Sequence, residues 1–411
     1  MTTGWRARLA DPMFAAITAL GIAQITAWGT TYYCLGVLAA SITAETGWSR
    51  SLVFSGFTIA LLSIGVVSVW GGRLIDRHGA RPIMSLGTVL VTLGLFALSM
   101  VRSEAAYLCV WAFLGIGMRL VLYDAAFAAL VQVAPSRGRM AISYLTLFGA
   151  FASTVFWPIG HYLNDALGWR QTLVAFAVIH LLVCLPLNWF GLWWREVQSS
   201  SATQAEKARA ALDGPPLKGR ARSMAIALFA MVMSLNGFIF GVVSMHLVPL
   251  LEAAGLTAAV AVWVASLKGF AQFSGRVVEI LFGAKLRAIT VGRIAVGVLP
   301  VSFVVLLLAG GNVLAILVFT LVMGAAQGVI TIVRGAVPLA LFGREGYGAV
   351  LGLIATPVVV VNATAPTLFA MIVDRWGWQT AELALLMTSA ASWIGIELMS
   401  RWYERQRVRD A

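Results

Sequence analysis

The sequence predicts an all-α integral membrane protein with twelve transmembrane helices in two pseudo-symmetric six-helix bundles. Three observations predict it. Of 411 residues, 60% are hydrophobic and 11% charged, whereas a soluble domain has about 45–50% apolar and about 25% charged residues. A globule of this length still needs a polar skin, which excludes a soluble enzyme and a disordered chain. Apolar runs of roughly the 20 residues needed to cross a bilayer recur along the whole chain. Landmarks in the first half return in the second at a nearly constant offset.

The runs fall at 13–40, 51–71, 83–101, 105–134, 140–163 and 170–194, then at 223–250, 258–283, 290–309, 312–341, 348–373 and 380–400. Lipid offers the backbone no hydrogen-bond partners, so spans are helices or closed barrels. Continuous runs are not the alternating pattern of barrel strands. The first run follows Arg6 and Arg8 but is too long for the apolar part of a signal peptide, so it reads as a retained span. Residues 195–222 are the only long polar stretch, with Ser199, Glu206, Lys207, Pro215 and Pro216 among them. They read as a cytoplasmic linker between an N-terminal bundle (1–194) and a C-terminal bundle (223–411) with a short cytoplasmic tail.

A net charge of +12 invites a nucleic-acid partner, but the positions of the charges argue against one. Of the 29 Lys and Arg, 20 fall in segments on the side of the N-terminus and four on the opposite side. The remaining five lie inside spans: Arg119, Lys268, Arg276, Arg293 and Arg334. By the positive-inside rule both termini are cytoplasmic, in a multi-pass protein of the plasma (inner) membrane. The basic balance reports topology and contact with the anionic lipid bilayer. Cys34, Cys109 and Cys184 all lie in spans and are odd in number, so they read as small core residues and not as a disulfide framework.

The repeat follows the spans. Gly115 and Gly324 are 209 residues apart, Pro158 and Pro366 208, and Asp165 and Asp374 209. The dipeptides Gly168-Trp169 and Gly377-Trp378, which open the sixth and twelfth helices, are again 209 apart. Internal duplication is common in secondary transporters.

Between the second and third helices the chain reads Gly71-Gly72-Arg73-Leu74-Ile75-Asp76-Arg77-His78-Gly79-Ala80-Arg81. This resembles the loop motif of the major facilitator superfamily, Gly-x-Leu-x-Asp-Arg-x-Gly-Arg-Arg, and the resemblance extends to the twelve spans and the duplication. It implies a monomeric secondary transporter working by alternating access, with Gly72, Asp76, Arg77, Gly79 and Arg81 as a gating loop. Glycine permits a tight turn and close helix approach. Asp76 is expected to bind helix-end amides or a basic partner. Simple positive-inside charge is the alternative for Arg73, Arg77 and Arg81. At the 208 offset Ala284 stands opposite Asp76, so the second half has lost the motif. Two further superfamily patterns are absent. Trp111 stands where an arginine often precedes the fourth-helix glycine by four, and Trp157-Pro158 replaces the Gly-Pro of drug antiporters.

A charge in mid-membrane costs at least about 2.5–3.5 kcal/mol, so the in-span charges nominate a site. Lys268, Gln272 and Arg276 share one helix face at i, i+4, i+8. Glu279 lies three residues beyond Arg276 and is placed to pair with it, although Arg276 could instead snorkel to the surface. The stretch Gly269–Arg276 resembles the eighth helix of monocarboxylate transporters and of the oxalate/formate antiporter, where a basic residue holds the substrate carboxylate. The aspartate that often precedes it by four is here Gln272. By resemblance, helices 1, 4, 7 and 10 line a central cavity. That adds as candidates Gln24, Trp28 and Tyr32 at i, i+4, i+8 on the first helix, and Arg119 and Asp124, five residues and roughly 140° apart on the fourth. It also adds Asn236 with Phe240 and Ser244 at i, i+4, i+8 on the seventh, and Gln327, Thr331 and Arg334 at i, i+4, i+7 on the tenth. Simple packing is the alternative for the aromatic stripes. Asp124 and Arg334 stand at similar depth in the two halves, a possible ion pair; each packing with its own polar neighbours is the alternative.

No phosphate-cradling loop, metal motif or catalytic cluster is legible, so the chain is read as a transporter without cofactor or metal, not an enzyme. Arg119, Lys268, Arg276 and Arg334 against Asp124 and Glu279 point to a small organic anion, a monocarboxylate by resemblance, moved by proton coupling or exchange. The alternative is proton-driven export of an amphiphilic or toxic compound, with metalloid export through a span cysteine such as Cys34 as a minor variant.

Overall fold

The computed structural model describes residues 11–193 and 215–410. Most of the 195–222 linker therefore lies outside the described residues. Among the described residues the regular structure is helical throughout.

Twelve helical passes follow in order. The first six are α1 (Pro12–Thr46), α2 (Arg50–His78), α3 (Ala80–Met100), α4 (Glu104–Val133), α5 (138–167) and α6 (169–191). Then come α7 (Gly219–Ala253), α8 (Ala258–Phe282), α9 (Ala288–Leu307), α10 (Val313–Phe342), α11 (347–376) and α12 (378–410). α5 runs into α6, and α11 into α12, through single glycines. Gly168 has φ 79° and ψ 164°; Gly377 has φ 80° and ψ 172°. Only glycine takes such a backbone without strain, so the repeated Gly-Trp dipeptides mark two equivalent hairpin corners. α7 begins at Gly219, four residues before its apolar run, and takes Arg220 and Arg222 into its first turn.

Packing follows the repeat as well. A Cβ on Gly115 of α4 would overlap the Ala60 carbonyl of α2. A Cβ on Gly324 of α10 would crowd Lys268 and Ala271 of α8. Ala60 and Lys268 are themselves 208 apart, so the same glycine lets the same pair of helices meet in each half. Lipid supplies no hydrophobic drive between helices, and such small residues allow the close contact that does. Large apolar side chains such as Leu182, Phe270 and Leu308 point outward, as lipid-facing surface requires.

The described chain forms two compact units. One comprises Met1–Ala202 together with Arg344–Gly352; the other comprises Thr203–Gly343 and Leu353–Ala411. In the first, Trp111, Leu114, Phe127 and Val91 are fully buried. In the second, Ile239, Val264, Phe303 and Phe319 sit in the core.

Four helices of the first unit depart from the continuous spans expected. α5 is interrupted by a turn at 150–151, and α6 holds a π-turn at His180–Cys184. α1 loosens into a π-turn at Trp28–Tyr32 before resuming at Leu35. α4 breaks at Leu122, whose backbone is extended (φ −77°, ψ −172°). Residues 118–134, which span the break, carry neither Pro nor Gly, the usual causes of a kink.

Candidate functional site

The break in α4 changes the hydrogen bonding around it. Ala125 and Ala126 both donate to the Leu122 carbonyl. Gln24, fully buried on α1, donates from Nε2 to the Val121 carbonyl at 2.6 Å. Its Oε1 accepts from Trp28 Nε1 at 3.1 Å. An unbonded carbonyl in a lipid-embedded core is costly, so a side-chain amide from a neighbouring helix is what allows the break. Broken helices at membrane depth are a recurring feature of transporter binding regions.

An aromatic cluster surrounds this point. Trp28 lies 4.8 Å from Tyr32 and 5.0 Å from Tyr123, centroid to centroid. Tyr32 meets Phe57 edge-on at 4.8 Å, and Tyr33 lies 5.3 Å from Tyr32. Trp28 and Tyr32 thus come together as their spacing suggested. Gln24, on the same stripe, is bonded to Trp28. Tyr33, Phe57 and Tyr123 join them, and for Phe57 and Tyr123 no local pattern announces this.

The remaining first-unit candidates divide. Arg119 is 2% exposed and donates from Nε to Ser68 Oγ at 3.1 Å, packed against α2 beside Gly71. Asp124 is buried in the first turn of the second segment of α4. Because of the break, the helical angle expected between Arg119 and Asp124 does not apply.

The motif between α2 and α3 is a joint and not an open loop. Gly72, Asp76 and Arg77 lie on α2, Arg81 lies on α3, and Gly79 (φ 85°) alone joins the helices. Gln132 of α4 holds the joint from both sides. Its Oε1 accepts from Ala80 N at 2.8 Å and its Nε2 donates to the Ile75 carbonyl at 3.0 Å.

Asp76 accepts from the backbone N–H of Gly348 at 2.9 Å and of Ala349 at 2.8 Å. It caps the start of α11, within the segment that belongs to the first unit, and its charge complements the helix dipole there. A Cβ on Gly72 would overlap the Gly348 carbonyl, and one on Gly352 would overlap the Ser68 carbonyl. Backbone therefore lies against backbone along Ser68, Gly72 and Asp76.

In the second unit Lys268 is half-buried on α8, its Nζ 5.6 Å from the Phe240 ring centroid on α7. Among the described residues it pairs with no carboxylate. One turn on, Gln272 Nε2 donates to Gln327 Oε1 of α10 at 3.4 Å, and a Cβ on Gly328 would strike the Gln272 carbonyl. Lys268, Gln272 and Gln327 therefore stand where α8 and α10 approach most closely.

Thr331 turns its hydroxyl back to the Gln327 carbonyl at 3.0 Å, and Arg334 is half-buried one turn further on α10. Arg276 and Glu279 are 5% and 4% exposed, so Arg276 does not snorkel to the surface. Asn236 stands apart from this group. Its Nδ2 donates to Val232 O at 2.8 Å and to Ser392 Oγ at 2.7 Å, tying α7 to α12. Arg293 of α9 is likewise structural, in a two-pronged pair with Glu397 of α12 at 2.8 Å for each bond. Cys34 and Cys184 are buried, but Cys109 is exposed, against the expectation of a core residue. A single residue at the packing edge of a span carries no local signal of which way it points.

The family model of the Major Facilitator Superfamily matches residues 20–307. The chain belongs to that superfamily. Among curated relatives, the agnestins efflux protein AgnL12 of Paecilomyces divaricatus is 23% identical over 364 residues, covering 85% of this chain and 76% of the relative. The uncharacterized MFS-type transporter YcxA of Bacillus subtilis is 26% identical over 214 residues, half of each chain. Among solved structures, the human organic anion transporter MFSD10 superposes with a TM-score of 0.72 at 14% identity, over 94% of this chain and 99% of that one. The proton:xylose symporter XylE gives 0.71 at 13% identity, over 95% of each chain. At such identities the structural likeness shows the fold. The chain is a multi-pass membrane transporter of the superfamily, which carries small-molecule substrates and is not in general enzymatic.

Proposed function

We propose that this superfamily member is a monomeric secondary active transporter of a small organic anion, working by alternating access in the inner membrane with both termini cytoplasmic. Its N-terminal bundle is residues 1–194 and its C-terminal bundle 223–411, joined by the 195–222 linker. Lys268 carries the reading. An ammonium on a mid-membrane helix is stable only beside an anion, a carboxylate or water, and here its near neighbour is an aromatic ring. Gln272 and Gln327 supply neutral donors beside it, suited to the carboxylate of a monocarboxylate substrate. Arg276 is proposed to hold the substrate's negative charge together with Lys268. Asp124 is the proposed proton carrier or cytoplasmic-side latch, and Arg334 and Glu279 complete the proposed coupling set. Gly72, Asp76, Arg77, Gly79 and Arg81 form the proposed gate.

Export of an amphiphilic compound is the second reading. The rings of Trp28, Tyr32, Tyr33, Phe57 and Tyr123 favour it, as does the relative described as an efflux protein. Counterflow in proteoliposomes separates the two. Small carboxylates exchange under the first reading and fail to compete with cationic amphiphiles under the second. Coupling is tested by Asp124→Asn, which should lose pH-driven accumulation and keep exchange; full gradient-driven flux in that variant removes Asp124 from the role.

A further inference from the structure

We infer that the outer face of the first unit holds an anionic phospholipid in the groove between α3 and α6, with its phosphate on Arg81. The guanidinium of Arg81 is stacked between two indoles, its Cζ 4.0 Å from the Trp189 ring centroid and 3.7 Å from that of Trp193. Among the described residues it has neither a carboxylate nor a hydrogen-bond acceptor, and its Nε is buried without a partner. Stacking covers both faces of the plane and holds the side chain in place. The N–H groups lie in the plane, and with Nε buried it is the edge formed by the two Nη atoms that remains for an oxyanion. Arginine binds phosphate through such an edge with two parallel hydrogen bonds.

A groove of about 470 Å³ begins beside this arginine. Pro82, Leu86 and Val89 form one wall, and Leu185, Pro186 and Trp189 the other. Val89 stands eight residues beyond Arg81, about 12 Å along the helix. The groove thus runs from the headgroup level into the hydrocarbon. Ser85 lines it midway. It is 6% exposed and its Oγ has no partner among the described residues. A buried hydroxyl in an apolar wall needs an acceptor, and an ester carbonyl below a phosphate supplies one.

Charge selects the headgroup. Arg73 and Arg77 are exposed at the same end of the unit. Clustered basic residues at a membrane surface draw anionic lipids, and tryptophans there mark the interfacial layer. An acyl chain matches the apolar walls, and a net negative headgroup matches an arginine that has no counter-ion among the described residues. A zwitterionic lipid would bring its own cation to the same spot.

Native mass spectrometry of the full chain in detergent tests this, with equal amounts of dioleoyl phosphatidylglycerol and dioleoyl phosphatidylcholine added. The wild type is expected to carry phosphatidylglycerol in several-fold excess, and free glycerol phosphate should not displace it. Arg81→Gln should bring the ratio of the two lipids close to one. Val89→Trp, which leaves Arg81 in place and fills the groove, should lower the bound amount of both. Equal binding of the two lipids by the wild type would overturn the proposal. So would an unchanged ratio in Arg81→Gln, displacement by glycerol phosphate, or full lipid binding by Val89→Trp. Should Arg81→Gln fail to elute as a folded species, Arg81→Lys replaces it, with a reduced excess expected and an undiminished one contradictory.

Discussion

α4 and α10 descend from one landmark, the glycine at 115 and at 324, and each packs against the second helix of its own half through that glycine. A few residues further on they differ. α4 breaks at Leu122 and is repaired from α1 by Gln24. α10 continues unbroken to Phe342, with Gln327 and Thr331 on its face. α1 and α7 differ in the same sense, a π-turn at Trp28–Tyr32 against an unbroken helix. Duplication thus preserved the packing contacts and left the polar chemistry free to diverge. One half keeps an irregular backbone lined by aromatic rings, and the other keeps regular helices that carry an ammonium. An in-span cation is therefore judged by its partner. Arg293 has Glu397, Arg119 has Ser68, and Lys268 has a ring.

The largest effect expected is on Lys268. Lys268→Gln removes a hydrogen bond between two charged groups, about 1.5–3 kcal/mol, and should weaken anion binding roughly 10- to 100-fold. Inhibition constants measured in proteoliposomes check it, and fluorescence-detected elution confirms folding. Arg293→Gln, its counterpart with a partner, should lower thermal stability and leave substrate affinity alone.

Next is the repaired break. Gln24→Leu strips the Val121 carbonyl and the Trp28 indole of their partners, and each unsatisfied buried group costs about 1–3 kcal/mol. Met233→Leu, at the corresponding place in α7, exchanges one buried apolar side chain for another of similar volume and should cost under about 1.5 kcal/mol. Equal melting temperatures for the two variants would end the claim that the break in α4 needs Gln24.

The clasp at Asp76 should be weaker still. Asp76→Asn loses the charge while keeping one acceptor, about 0.5–3 kcal/mol. A cysteine at 349 should label faster in that variant, and faster again in Gly72→Ala, whose Cβ meets the Gly348 carbonyl. Labelling at the parent rate in both would show that neither residue holds the start of α11.

The smallest effect lies at the start of α1. Arg137 binds Asp11 through two bonds of 2.6 and 2.7 Å, and that bond chiefly holds the Asp11 carboxyl below its ordinary 3.8. The stabilisation is complete above about pH 3.8 and disappears as pH falls through the lower folded value. A partly exposed pair contributes about 0.2–1 kcal/mol. Arg137→Gln should flatten the acid limb of a melting-temperature profile, and an unaltered limb would discard the pair as its source.

Much of the fold was legible because membrane spans advertise themselves in composition and the repeat left glycines at fixed offsets. Gly168 and Gly377 show it best, since a positive φ restricts the residue type. The site was legible only where chemistry is local. Lys268 and the Gln272 face follow from spacing on one helix, and Trp28 and Tyr32 from spacing on another. The break at Leu122 was not, because its cause is an amide donated 97 residues away in sequence. The role of Gln132 is illegible for a similar reason: a glutamine near a helix end has the pattern of ordinary interfacial polarity, and only its two bonds across the joint distinguish it. The helix-7 stripe failed at Asn236 because a helical face has two neighbours, and the pattern does not say which one a residue bonds.

The most direct test of the account is counterflow of a radiolabelled small carboxylate into proteoliposomes holding wild type or Lys268→Gln, run against a panel of organic anions and cationic amphiphiles. The account predicts rapid anion exchange by the wild type, competition by other carboxylates and not by the cations, and a loss of at least tenfold in apparent affinity for Lys268→Gln. Wild-type affinity in the variant, or competition by the cations alone, would contradict it.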